Sequence, residues 1–110
     1  MGKRRPAKPL PSTLIETLHG ASVQAELDLH GLSVEEALHR VQTFLSAWEQ
    51  RQPGAVLRII TGKGNRSSGA PVLPEAVREL LRDQMGGQVT DFVGDRGGGG
   101  WLVRVGRGAR

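Results

Sequence analysis

At 110 residues the chain is long enough for one hydrophobic core of two packed layers and too short for two, so any site must be built on that single core. Fifteen Lys and Arg against eleven Asp and Glu leave a net charge of +4, which suits polyanionic partners but also simply keeps a small protein soluble. The absence of cysteine excludes disulfides, thiolate metal sites and a thiol nucleophile, and no run approaches the roughly eighteen apolar residues of a membrane-crossing helix.

Residues 1–22 are expected to form a flexible basic extension. Lys3, Arg4, Arg5 and Lys8 stand among prolines and few apolar groups, a composition that cannot bury enough surface to offset its ordering entropy. The stretch lacks the apolar segment of a secretory signal, which makes a cytoplasmic location the expectation. Within it, Leu14 to Leu18 offers a short helical turn. Residues 23–110 are expected to form the folded domain.

Ala25 to Leu29 reads as a strand. With Leu27 and Leu29 directed into a core, the two-residue period of a strand places Glu26, Asp28 and His30 on the opposite face. Ser33 then begins a helix with Glu36 at the reciprocal capping position, and Val34, Ala37, Leu38, Val41, Leu45 and Trp48 recur at steps of three and four to make one apolar stripe. Val56 to Thr61 is β-branched and apolar, a second strand with Leu57 and Ile59 inward and Arg58 outward. After the loop GKGNRSSGAP, Leu73, Ala76, Val77, Leu80 and Leu81 share the face of a second helix that stops at Gly86 and Gly87. Gln88 to Val93 and Trp101 to Val105 are two further strands, separated by GDRGGGG, which is too long for a tight hairpin turn.

The order β-α-β-α-β-β predicts an α/β (α+β) two-layer sandwich. Its mixed four-stranded sheet carries both helices on one face, because successive right-handed crossovers fall on the same side. No element covers the other face by this reading. That face should display Glu26, Asp28, His30, Arg58 and Arg104, provided Trp101, Val103 and Val105 turn inward.

Two groups of residues carry chemistry. Asp28 and His30 lie at the carboxyl end of the first strand, and Thr61-Gly62-Lys63-Gly64 at the carboxyl end of the second, the edge where α/β sheets place ligands. Glycines permit close backbone approach, Lys63 supplies charge, and Arg66, Ser67 and Ser68 add donors, so the loop is suited to a phosphate. GKGNRS lacks the Walker A spacing, and nucleotide hydrolysis is not supported. Each residue also has a plainer reading: His30 could fix a turn through the backbone, and Asp28 could cap the following helix. Trp48 and Trp101 fall on inward registers and read as core.

The motifs LDLHG at Leu27 to Gly31, TGKG at Thr61 to Gly64 and GGGG at Gly97 to Gly100 stand in order, and with them the chain resembles the Smr (small MutS-related) domain over about residues 23 to 106. The resemblance implies the fold of the translation initiation factor 3 C-terminal domain, with sheet order 1-2-4-3 and only strand 4 antiparallel. It also implies nucleic-acid binding with nicking of DNA or endonucleolytic cleavage of RNA, in some members at the ribosome. Asp28 and His30 would be the catalytic pair and Gly62, Lys63 and Gly64 the phosphate-binding loop. Arg58, Arg66 and Arg104 are expected to add phosphate contacts. Thr61 stands where the family's loop often has His.

On this reading His30, oriented by Asp28, takes a proton from the attacking oxygen while Lys63 stabilises charge on phosphorus. A tightly bound metal is not expected, a divalent cation (Mg or Mn) held by Asp28 and Glu26 being the alternative. The expected partner is DNA or RNA, with no membrane, for a monomeric protein. The rival is a non-catalytic module that docks on nucleic acid or a ribosomal surface.

Overall fold

The computed structural model describes residues 18–62 and 72–106. Six regular elements follow in the expected order: β1 (Val23–Asp28), α1 (Val34–Arg51), β2 (Val56–Ile60), α2 (Val72–Asp83), β3 (Val89–Gly94) and β4 (Gly100–Val105). The strands form one sheet in the order β1-β2-β4-β3, with β1 and β2 parallel and β4 antiparallel to both its neighbours. The parallel pair needs a crossover, and α1 supplies it.

Local chemistry explains where α1 begins and ends. Ser33 Oγ accepts from the Glu36 N–H at 3.1 Å and Glu36 Oε1 accepts from the Ser33 N–H at 3.1 Å, so two orphan donors of the first turn are satisfied reciprocally. At the other end the Gln52 N–H bonds the Trp48 carbonyl at 2.8 Å before Gly54 turns the chain at φ 86°. Ala37, Val41 and Leu45 are buried along the stripe, with Leu38, Phe44 and Trp48 packed beside them.

The core lies between that stripe, Val77 and Leu81 of α2, and the inward residues Leu57, Ile59, Val89, Val103 and Val105 of the sheet. Each fully buried leucine here contributes roughly 1.5–3 kcal/mol. Trp101 packs against this core as its register predicts, with its ring edge-on to Phe92 at 5.7 Å between centroids. Gly100 has a steric reason to be glycine: β4 passes β2 so closely that a Cβ there would run into the Ile59 carbonyl oxygen. Among the described residues no helix is long and apolar enough to cross a membrane.

The expectation of a bare outer face needs correction. Val56 and Leu102 pair with Arg104 and Arg58 respectively, which puts them on the outward register, yet both are buried. Leu18 is buried too, outside the helix-side core, and His19 Nε2 lies 2.9 Å from the Gly94 carbonyl at the end of β3. The carbonyl only accepts, so His19 Nε2 carries the proton. Packing therefore extends ahead of the first strand, and the outer face includes apolar positions that alternation alone would assign to solvent.

Candidate nucleic-acid interface

β1 delivers Asp28 to the edge of the sheet, and the ladder to β2 continues one step further, with the Leu29 N–H bonding the Ile60 carbonyl at 2.8 Å. The chain then turns sharply. Gly31 adopts φ 87°, and the Leu32 N–H bonds back to the Leu29 carbonyl at 3.1 Å. This turn leaves His30 outside the core while Leu29 stays fully buried.

Asp28 Oδ1 accepts twice from His30, from its backbone N–H at 3.1 Å and from Nδ1 at 2.9 Å. A carboxylate only accepts, so Nδ1 carries the proton and Nε2 of the neutral ring is the free lone pair. Nε2 has no protein partner among the described residues. The side chains of His30 and Asp28 are 75% and 53% exposed, so the pair faces solvent. Their mutual hydrogen bond lowers the Asp28 pKa below its ordinary 3.8 and raises that of His30 above its ordinary 6.5. Neither plainer reading is what the structure shows: the His30 ring bonds the Asp28 side chain and not the backbone, and Ser33 rather than Asp28 caps α1, while Asp28 accepts from the His30 N–H.

The second motif meets the first at Gly62. This residue turns the chain at φ 84°, and a Cβ placed on it would stand 3.9 Å from the His30 Cβ. Its N–H and that of Thr61 both bond the Gly99 carbonyl, at 3.1 and 2.9 Å. The third motif is thereby tied to the same edge, and the three glycine-bearing segments form one corner of the molecule. Because the Gly62 N–H is engaged by Gly99, it is not a free donor for a phosphate. Thr61 is buried, and its Oγ1 donates to the Gly62 carbonyl at 3.0 Å. Lys63, Gly64 and Arg66 lie outside the described residues.

The arginines expected beside this pair are held elsewhere. Arg58 donates through Nη1 to Glu26 at 2.7 Å and through Nε to Asp95 at 3.0 Å. Its bond to Glu26, opposed by partial burial and joined by the charge of Asp95, raises its pKa above the ordinary value. Arg104 donates through Nε to Asp91 at 3.1 Å. The acids, imidazole and arginines of the outer face thus separate into the Asp28–His30 pair and two ion clusters centred on the arginines. Sequence reasoning missed Asp95 and the Gly99 carbonyl. Asp95 sits at the first position after β3, and a carboxylate there is a turn signal that gives no hint of a long-range partner.

Glu26 bonded to Arg58 and Asp28 bonded to His30 make a poor donor set for a resident cation. Among the described residues no three His, Asp or Glu side chains gather as metal ligands.

A two-layer domain with a 1-2-4-3 sheet and an open Asp–His pair at the carboxyl edge of its parallel strands defines the class. The model of one family, the Smr domain, matches residues 27–103, which cover all three motifs, and the chain belongs to that family. Among solved structures it is similar to the crystal structure of the Smr domain of Thermus thermophilus MutS2. The two are 33% identical, with 74% of this chain and 96% of that one covered and a TM-score of 0.60. Comparison with curated proteins gives no match.

Proposed function

We propose that this protein is a nucleic-acid-binding endonuclease of the Smr type that cleaves the phosphodiester backbone of RNA or DNA without a resident metal. The observation that carries the reading is the state of His30: solvent-facing, held at Nδ1 by Asp28, with Nε2 unbonded among the described residues at the edge where the TGKG loop begins.

In the proposed step Nε2 takes the proton from the attacking oxygen, an RNA 2′-hydroxyl or a water. That oxygen bonds to phosphorus and the P–O5′ bond breaks, the departing oxygen taking up a proton from solvent water. Asp28 keeps the imidazole in the required tautomer and stabilises the imidazolium that forms, the role of an orienting carboxylate. Lys63 supplies positive charge against the charge growing on the phosphoryl oxygens. The basic extension and the net charge of +4 favour a polyanionic partner.

One observation favours the rival, a binding module without catalysis. Thr61 is turned inward and bonded to Gly62, so this edge presents a single imidazole and the described residues offer no second group to protonate the departing oxygen. Incubation of the protein with RNA and with DNA, followed by analysis of product ends, separates the readings. A 2′,3′-cyclic phosphate that disappears with His30→Ala supports the metal-free route. Loss of cleavage on adding a chelator overturns it, and intact nucleic acid that is nonetheless bound supports the module.

A further inference from the structure

The glycine-rich segment between β3 and β4 has no part in the chemistry above, yet its glycines divide into two kinds. Gly98 adopts φ 81° and Gly100 lies against the Ile59 carbonyl, so the fold itself requires both. Gly97 and Gly99 have neither reason. Neither has a φ in the left-handed range, and a Cβ added at either would meet nothing within 4 Å among the described residues. The fold leaves these two positions bare of side chain without needing them to be so.

The segment is nonetheless well placed. The Asp95 N–H bonds the Gly100 carbonyl at 2.9 Å and the Gly98 N–H bonds the Asp95 carbonyl at 2.9 Å, which makes a defined turn with Arg96 and Gly97 at its tip. Arg58 clamps the Asp95 side chain at 3.0 Å. Gly99 is tied through its carbonyl to Thr61 and Gly62, and Gly62 adjoins His30. Arg96, at the tip, is exposed and has no carboxylate partner among the described residues, whereas the two sheet arginines, Arg58 and Arg104, are both paired.

We infer that the loop 95–99 is a third wall of the nucleic-acid site: Arg96 contacts a backbone phosphate next to the one being cleaved, and the bare Gly97 and Gly99 let the sugar-phosphate backbone lie close against the turn. This rests on the proposed nucleic-acid binding. A guanidinium at a turn tip offers several donors to phosphate oxygens, and a side chain at Gly97 or Gly99 would hold that backbone away from them. Arg58 acts as a positioning residue, since its two carboxylate partners hold it in the loop's support.

The test is binding of fluorescein-labelled RNA and of a labelled DNA duplex, followed by anisotropy over a salt series. Arg96→Ala should weaken binding roughly tenfold at low salt and reduce the slope of log K against log salt by about one, or slightly less on a single strand. Arg96→Lys should restore most of the slope. Gly97→Ala should weaken binding with the salt slope and melting temperature unchanged, because the added methyl group meets none of the described residues. Wild-type affinity and slope in both Arg96→Ala and Gly97→Ala overturn the inference. Should those variants still cleave in a His30-dependent way, the proposed function stands without it, whereas a wild-type protein that binds neither probe removes both.

Discussion

Two kinds of ionic cluster share one side of this sheet and put their carboxylates to different ends. In the Arg58–Glu26–Asp95 and Arg104–Asp91 clusters, unlike charges bridge separate strands and the β3–β4 loop, and the acceptor Asp91 is only 8% exposed. Each arginine donates to carboxylates of another strand or of the loop, although Glu26 itself stays half exposed. In the Asp28–His30 pair the partners lie two residues apart on one strand end, face water, and leave Nε2 without a partner among the described residues. What separates a candidate reactive group from a structural one here is the bonding capacity left over after the protein's own contacts are made. An aspartate is present in each, so the carboxylate alone does not decide.

The comparison breaks most readily at His30. Replacing it with alanine should lower cleavage by about two orders of magnitude or more, the scale of losing a general base, and leave the melting temperature near wild type because the ring packs against no core residue. Cleavage rate at saturating substrate and a thermal melt together check this. A collapsed melt with proportionate loss of rate would place His30 among the structural residues.

The opposite pattern is expected at Asp91. Asp91→Ala leaves Arg104 without its carboxylate at a position largely out of solvent, and should cost roughly 1–3 kcal/mol of stability in urea denaturation, with the cleavage rate of the folded fraction unchanged. A stability loss confined to a few tenths would show that water replaces the pair, and the two kinds of cluster would then differ less than their geometry implies.

Much of this architecture can be read from the chain. The Ser33–Glu36 capping box, the stripe from Ala37 to Trp48 and the alternation through Leu57, Arg58 and Ile59 are local patterns whose outcome is set by near neighbours. That Asp28 and His30 share a face was legible for the same reason, since they lie two residues apart at a strand end. The partners of Arg58 and Arg104 were not, because alternation gives the face of a residue and says nothing of which acid on a neighbouring strand will reach it. The Arg58–Asp95 contact depends on β4 lying between β2 and β3 and on the length of the loop. Burial of Val56 and Leu102 on the outward register likewise depends on tertiary packing that no two-residue period records.

The smallest effect is the most direct measure of how Asp28 and His30 are coupled. His30 has a raised pKa in the folded protein, so its share of the pair's stabilisation is complete below its ordinary 6.5 and is lost as pH rises through the folded value. Asp28 has a lowered pKa, so its share is complete above its ordinary 3.8 and is lost as pH falls through the folded value. The pair therefore contributes fully between those two ordinary values, and only slightly, since both side chains face water. The kinetic consequence is larger than the thermodynamic one. A base must be neutral to act, so the rise of kcat/KM with pH should have its midpoint above 6.5 in the wild type and shift downward in Asp28→Asn, whose amide cannot stabilise the imidazolium electrostatically. Titration of the His30 ring by NMR should move in the same direction in the same variant. An Asp28→Asn protein with the wild-type midpoint would show that the carboxylate fixes the turn through the His30 N–H and does not tune the base.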